Sequence, residues 1–494
     1  MDNPSTTSPI PASQPNPKAS DPATVTSKTD SKGNAWLTSF AVIGDFGNVG
    51  AKKNNLYTEN DPVNYVGEAI RKMAPDFIIS LGDDNYVEGK REWKDFNVGK
   101  NFAPYIQPYK LLNANKNNLD AQAIASPSYL ASQVPRKTWN RFFTAPGNHE
   151  LGMSGGKGSF EASGRRDWSH DAYYKPSMEL SKQQGSVIPI AGSYVKPGDG
   201  LYYDYAYGTS WNPTTAFKTK EGAMDPSYFD YIVKPVNKNG KVLSDLANIY
   251  MVDRNIAAYP TKNTAYLAWK KNNPNATLDP QAQHLMDEGK RRDKDVPWQI
   301  FASHYQTDSS EAKQDGMQLP FFKNGFDLVM GAHVHNYERI HAADSAGVKG
   351  DYIVNGVGGY NTSYSGNDQL DELFAPIGKV AGYKAGSTGK WGFGWVDMNQ
   401  DELMYRQFTV DFTAIKNPWP IGIAVKSYTG KEPISSVKIT EVDRLVLKKN
   451  ASPTTPSTSL QAIGEKTLVA AASHRPNANT MPAWIEPSPL AAIT

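Results

Sequence analysis

The chain contains 494 residues and no cysteine. Disulfide bonds, thiolate metal sites and cysteine nucleophiles are therefore excluded. The absence of cysteine leaves the compartment open, because a protein without disulfides can function in oxidising or in reducing surroundings.

Long apolar runs and an excess of one charge are also missing. No run approaches the ~20 apolar residues that a membrane helix needs, so we expect no membrane span. Lys and Arg total 52 and Asp and Glu total 50, which gives a formal net charge of only +2. That balance gives no support for a nucleic-acid partner or a membrane surface. Apolar residues make up 39% of the chain and charged residues 21%, which is typical of a soluble globular protein.

The two ends of the chain differ in composition from the rest. Residues 1–34 are rich in Pro, Ser, Thr, Asn and Asp, and we predict a disordered leader because such a segment cannot bury enough surface to offset its ordering entropy. Residues 450–494 predict a low-complexity tail. No signal-peptide pattern is visible at the start. A leader of this composition is typical of a periplasmic or secreted protein, which we therefore expect, although a cloning remnant would have the same composition. Residues 35–449 would then form one large domain with insertions near 105–135 and 155–250.

One local pattern recurs five times along this domain. A short apolar run ends at a small residue and is followed at once by a side chain that can bind a metal. The five runs cover residues 37–43, 77–81, 139–145, 298–302 and 326–330. Short runs bounded by Gly or Pro predict buried strands. Because ligands in open α/β sheets gather beyond the carboxyl ends of strands, we expect the five ends to share one site.

Helices are predicted between the strands. Asp61 and Pro62 are typical of a helix start, and Pro75 marks its end. Asp279-Pro280 gives a second start signal, leading into residues 281–292. The order strand–helix–strand favours sheets with helices on their outer faces.

Further strands are predicted on either side of the last run. A candidate strand lies at 201–207. Four later runs, which would form a second sheet, cover residues 352–357, 391–398, 402–410 and 437–447.

The strand ends supply two carboxylates, a phenol, an amide oxygen and three imidazoles. These groups belong to Asp45 and Asp83, Tyr86, Asn148, and His304, His333 and His335. Oxygen and nitrogen ligands without thiolate form a hard-to-borderline set. The set is too large for one tetrahedral zinc ion, but it suits two octahedral metals if one carboxylate bridges them. Such a pair, ~3.5–4 Å apart, clamps the attacking and the leaving oxygen in phosphoryl transfer.

The same blocks resemble the five metal-binding blocks of the purple acid phosphatases, which belong to the calcineurin-like metallophosphoesterases. They read GDFG from Gly44, GDDNY from Gly82, GNHE from Gly147, SHY from Ser303 and GAHVH from Gly331. The resemblance covers about residues 39–410 and implies an α/β (α+β) fold, a four-layer α/β/β/α sandwich of two mixed β-sheets flanked by helices. Ala332 and Ser303 depart from the family pattern, and the insertions have no counterpart in it.

The resemblance also implies a cofactor and a reaction. Asp45, Asp83, Tyr86 and His335 would hold Fe(III), and Asp83, Asn148, His304 and His333 would hold a divalent Fe, Zn or Mn ion. The expected activity is that of an acid phosphatase with broad specificity, in which metal-bound hydroxide hydrolyses small phosphate monoesters.

Two residues beside the candidate ligands, and two alternative functions, also follow from the sequence. His149 is the candidate for a residue that contacts the substrate or donates a proton to the leaving group, whereas Asp84 is interpreted as a turn residue that points away from the site. A phosphodiesterase or nucleotidase with two divalent metals is the alternative function. A non-catalytic secreted binding protein on the same fold is a third, which the complete ligand set disfavours.

Overall fold

The computed structural model describes residues 20–47, 62–84, 98–105, 141–145, 147–149, 230–239, 241, 243–252, 254, 270–291, 296–307, 309, 317–360, 371–375, 378–384, 391–412 and 437–449. The candidate ligand Tyr86, the predicted strand at 201–207 and the tail at 450–494 lie outside these ranges. So do residues 106–135 and 155–229 of the two predicted insertions.

Fourteen strands and two longer helices make up the regular structure of the described residues. The strands are β1 (Thr38–Ile43), β2 (Phe77–Ser80), β3 (Phe142–Thr144), β4 (Asp230–Val233), β5 (Ala247–Val252), β6 (Trp298–Tyr305), β7 (Leu328–Ala332), β8 (Asn336–Ala343), β9 (Lys349–Asn355), β10 (Asp371–Ala375), β11 (Gly378–Lys384), β12 (Trp391–Met398), β13 (Glu402–Phe412) and β14 (Val437–Lys448). The helices are α1 (Pro62–Met73) and α2 (Pro280–Arg291).

The strands form two mixed sheets. The first has the order β14-β13-β12-β1-β2-β3, in which β1, β2 and β3 run parallel and the remaining pairs are antiparallel. The second has the order β10-β11-β8-β9-β7-β6-β5-β4, with β5, β6, β7 and β9 parallel to one another. Each sheet therefore contains a block of parallel strands whose carboxyl ends lie on one edge.

The core lies between the sheets. Val42 of β1 and Ile300 of β6 are fully buried in one continuous apolar cluster. Phe301, the next residue along β6, belongs instead to a second cluster that includes Leu285 of α2. Alternate residues of a strand face opposite sides, so β6 contacts the core with one face and α2 with the other.

Both predicted helices are present, with the expected ends. Helix α1 contacts β12, β13 and β14 of the first sheet, and the left-handed Ala74 (φ 54°) follows its last residue. At the start of α2, the Asp279 carboxylate accepts the backbone N–H of Ala282 at 3.0 Å, which is the bond of an N-cap. The two mixed sheets with helices beside them confirm the predicted α/β sandwich. The expectation that the four later runs form a sheet of their own is wrong, because β12, β13 and β14 extend the sheet of β1 while β9 pairs with β7 in the other sheet.

The predicted leader is ordered over part of its length. Ser20 pairs with Ile439 on the edge strand β14, and the Arg406 guanidinium donates to the Val25 carbonyl at 2.9 Å. Asn399 donates to the Asp30 carboxylate at 2.8 Å. From Ser20 onward the chain therefore packs on the first sheet, with Val25 against the apolar core, and the predicted disorder does not extend over residues 20–34.

Among the described residues, no helix is both long enough and apolar enough to cross a membrane.

Candidate metal centre

The strand ends of both sheets meet at one place. Asp45, Asp83 and Asn148 follow β1, β2 and β3 of the first sheet. The second sheet supplies three histidines: His304 near the end of β6, and His333 and His335 between β7 and β8. The first sheet thus offers only oxygen ligands and the second only nitrogen ligands.

Three of these residues have an unusual backbone. Asp45 (φ 53°), Asp83 (φ 51°) and His333 (φ 69°) adopt the left-handed conformation, which L-residues other than glycine rarely visit. Such strain is found where the surrounding structure demands a particular side-chain direction, and it concentrates at functional sites. Here it turns the chain sharply just after the strand.

His304 reaches the site through an irregularity in β6. The pairing of β6 with β7 shifts register between Ala302 and Tyr305. Such bulges redirect a side chain and are frequent beside active sites. The Nδ1 atom of His304 lies 2.9 Å from the Leu81 carbonyl and donates to it, which leaves Nε2 directed at the site. Metal-binding histidines are oriented by bonds of this kind.

The first group of candidate ligands, the Asp83 cluster, comprises Asp83, Asn148, His304 and His333. His304 Nε2 lies 3.0 Å from Asn148 Oδ1, 3.2 Å from His333 Nδ1 and 3.4 Å from Asp83 Oδ2. His333 Nδ1 is also 3.0 Å from Asn148 Oδ1. One ligand atom each from Asp83, His304 and His333 lies within 4.8 Å of the others. The four side chains therefore converge on a single point.

The second group is the Asp45 pair, Asp45 with His335. Asp45 Oδ1 lies 3.5 Å from His335 Nε2. Its other oxygen accepts the backbone N–H of His333 at 2.8 Å, which joins the pair to the Asp83 cluster. Asp45 is fully buried, whereas a fifth of the His335 side chain is exposed. The site therefore opens to solvent on the His335 side.

Two glycines allow the carboxylates their positions. A Cβ on Gly147 would lie 2.0 Å from Asp83 Oδ1, and a Cβ on Gly356 would lie 2.8 Å from Asp45 Oδ2 and 2.2 Å from the Val334 carbonyl. Any larger residue at either position must push a carboxylate or the backbone aside.

The charges in the site are strongly coupled. Burial alone would raise the pKa of Asp83, but the charges of His304 and His149 outweigh it and hold this pKa well below its usual range. Burial likewise lowers the pKa of His304, but Asp83 and Asp45 raise it to about 9. The pKa of His333 lies well below its usual value because of burial and the neighbouring His304.

These shifts agree with a site for a cation. The raised pKa of His304 shows that positive charge is favoured where a carboxylate, an amide oxygen and a second imidazole meet. A divalent ion would supply positive charge at the same point. Carboxylate, amide and imidazole ligands without thiolate suit iron, zinc or manganese. The donor set and its electrostatics therefore fit the metal pair that the sequence implies.

His149 lies beside the cluster without belonging to it. Its backbone N–H donates to Asp83 Oδ1 at 3.0 Å, while its imidazole Nε2 lies 3.8 Å from Asp83 Oδ2. The side chain is 19% exposed. Its pKa is lowered because burial outweighs the attraction of Asp83, and His304 and His335 lower it further. The imidazole is thus placed between the buried ligands and solvent.

The structure adds an aromatic residue that the sequence reading did not single out. The ring of Tyr360 lies 4.6 Å from the ring of His335, and its backbone N–H donates to the Asp45 carbonyl at 2.8 Å. The pKa of Tyr360 is raised by burial and by the charges of Asp83 and Asp45. Gly358-Gly359-Tyr360 follows the end of β9. The same strand-end pattern that marks the candidate ligands could therefore have identified Tyr360 as a residue near the site.

Comparison with known proteins agrees with the geometry. The chain matches the family Calcineurin-like phosphoesterase over residues 38–337. No protein with a curated description matches it.

Two solved structures are similar to this chain at low identity. One is the purple acid phosphatase PPD1 from yellow lupin (Lupinus luteus) seeds, at 14% identity and a TM-score of 0.35, covering 75% of this chain and 51% of the lupin protein. The other is PhoD, at 12% identity and a TM-score of 0.39, covering 84% of this chain and 70% of PhoD. The chain spans about half the length of the lupin enzyme. The family match covers well over half of the chain, and this protein belongs to the calcineurin-like phosphoesterases, a class of metal-dependent hydrolases of phosphate esters.

Proposed function

We propose that the protein is an acid phosphatase that hydrolyses small phosphate monoesters at an Fe(III)–M(II) centre, with broad specificity. The observation that carries the proposal is the convergence of six candidate ligands from the strand ends of two sheets. The family assignment supplies the reaction class, and the ligand set supplies the reason for two ions of different kinds.

The proposed ligands fall into two sets that share Asp83. Asp45, His335 and Asp83, together with Tyr86 from outside the described residues, would hold Fe(III). The divalent Fe, Zn or Mn ion would be held by the Asp83 cluster. When bound, such a pair polarises the phosphate oxygens and lowers the pKa of water so that it attacks phosphorus at acidic pH.

The protein's own residues prepare this chemistry by holding the ligands rigidly. Asp83 is fixed by the His149 N–H, and His304 by the Leu81 carbonyl, so neither carboxylate nor imidazole has to reorient during a turnover. The buried setting strengthens every electrostatic contact within the site.

His149 is the proposed proton donor to the leaving alkoxide. Its imidazole faces the cluster, beyond hydrogen-bonding distance of Asp83, and is partly exposed on the solvent side. Because burial lowers its pKa, the protonated form of His149 becomes more populated as the pH falls. Protonation of His149 therefore favours an acidic optimum.

The composition of the leader and a small ester substrate are our reasons for proposing a periplasmic or secreted location.

The test compares an aryl phosphate monoester with the matched diester across acidic and alkaline pH, on protein reconstituted with Fe plus Zn or Mn. We expect monoester turnover to dominate and to peak at acidic pH. Asp83→Ala should abolish it while the circular dichroism spectrum is retained. Dominant diester turnover at neutral or alkaline pH would establish the phosphodiesterase alternative instead. Full activity of Asp83→Ala would refute the proposed centre.

A further inference from the structure

Asp84 is a fully buried carboxylic acid one residue beyond the central candidate ligand Asp83. The sequence interprets it as a turn residue, but its carboxyl group bonds two residues of neighbouring strands. One carboxyl oxygen accepts a short hydrogen bond from the Ser80 hydroxyl, and the other accepts the Thr144 hydroxyl at 2.8 Å. Ser80 and Thr144 are the last residues of β2 and β3. Asp84 therefore links the ends of two neighbouring strands.

The same two strand ends carry one half of the Asp83 cluster. Asp83 follows β2, and the turn that follows β3 carries Asn148 and His149. A second bond joins these turns, because the His149 N–H donates to Asp83 Oδ1 at 3.0 Å. Asp83 and Asn148 thus sit on two turns tied together at both positions 83 and 84.

The backbone alone already fixes the strands. Leu81 N–H donates to the Ile43 carbonyl at 2.8 Å, and Ala145 N–H donates to the Ser80 carbonyl at 2.9 Å. A buried carboxyl group is not needed to hold the strand ends together, and its desolvation costs free energy that hydrogen bonds have to offset. What the carboxyl adds is a constraint on the turn beyond β2, where Asp83 adopts its left-handed conformation.

We propose that Asp84 is a positioning residue that holds the Asp83 carboxylate at a fixed distance from Asn148 and so determines the affinity for the divalent metal. The inference rests on the proposed function, in which these two side chains bind that ion. Outer groups that orient metal ligands typically contribute about 10–100-fold to metal affinity.

The experiment titrates Zn²⁺ into chelator-treated full-length protein by isothermal calorimetry, with circular dichroism at each step. Asp84→Ala removes both hydrogen bonds and should weaken the tighter Zn²⁺ site about 10-fold or more. Asp84→Asn keeps the shape and one acceptor oxygen, so it should stay within about 3-fold of wild type. Thr144→Val removes one bond from the other side and should fall between the two.

Asp76→Asn is the matched control. Asp76 lies just before β2, at the opposite end of that strand, and accepts the Ser39 N–H at 2.9 Å. This change alters a partly buried carboxyl without touching the site, so Zn²⁺ affinity should be unchanged whatever happens to stability.

The outcomes separate the two proposals. Zn²⁺ binding by Asp84→Ala that equals wild type overturns the role of Asp84 but leaves the metal centre intact. A wild-type protein that binds no Zn²⁺ overturns the metal centre and with it this inference. If Asp84→Ala does not fold, Thr144→Val decides, and wild-type affinity in that folded variant counts against the proposal.

Discussion

Gly147→Ala tests the geometry of the site with the smallest possible change. The new methyl group would lie 2.0 Å from Asp83 Oδ1 and 2.5 Å from the Asp83 backbone nitrogen. Ordinary contact begins at 3.4 Å, so the Asp83 carboxylate and the Gly147 turn must separate. Because one of the two partners is a backbone atom of Asp83, the backbone of one turn has to move.

That movement should be felt most by the metal. Asp83 would retreat from Asn148, which follows Gly147 directly, so two ligands of the same ion would move apart. A displacement of about 1 Å in such a site can cost ~100-fold in rate. We expect a loss of this order in kcat/KM for an aryl phosphate, together with a lower metal content after dialysis against a chelator.

The assay needs a control for general destabilisation. Gly347→Ala serves this purpose, because Gly347 has a left-handed backbone (φ 85°) and open space around its Cβ position, in the turn between β8 and β9. That variant should lose about 1 kcal/mol of stability and keep its metal and activity. If Gly147→Ala retains wild-type metal content and turnover, the close approach of the two turns is not a feature of the working enzyme, and the reasoning fails.

Two further predictions concern a carboxyl group and a phenol. Burial raises the pKa of Asp76 to about 6 despite opposing hydrogen bonds from Ser39 and Thr38. Ionisation of Asp76 therefore destabilises the folded state as the pH rises from about 4 through 6. Relative to wild type, the free energy of unfolding of Asp76→Asn in urea should increase by up to about 3 kcal/mol between pH 4 and pH 7.5. An equal stability difference at both pH values would contradict the burial argument. A phenolate bound to Fe(III) would give the protein a visible absorption band. Tyr86→Phe should therefore remove that band from Fe-reconstituted protein while Zn²⁺ still binds to the Asp83 cluster, and an unchanged band would exclude Tyr86 as a ligand to Fe(III).

The grouping of the candidate ligands could be inferred from the sequence because its signals are local. Each candidate ligand follows its strand directly or lies within a few residues of its end, so a strand prediction also places the ligand. The parallel order of β1, β2 and β3 then brings Asp45, Asp83 and Asn148 to one edge. His304 lies within β6 and not after it, because the strand extends to Tyr305 through a bulge that a run of apolar residues does not reveal.

Features that depend on distant contacts were beyond the sequence. Asp30 is tied to the first sheet by a hydrogen bond from Asn399, which lies 369 residues away in the chain. Composition does not reveal a contact between residues so far apart, and it therefore suggested disorder there. Tyr360 reaches His335 only through the course of the loop after β9. For Asp84, the bond to Ser80 is local, but the bond to Thr144 joins residues 60 positions apart. A residue that the sequence suggests to be part of a turn is therefore a buried link between two strands.

The division of ligand types between the two sheets has a mechanical consequence. Oxygen donors lie on one sheet and imidazoles on the other, so any ion bound here would link the two sheets directly. Sliding of one sheet against the other would then disturb both halves of each coordination sphere at once. The thermal stability of the whole sandwich should therefore follow metal occupancy.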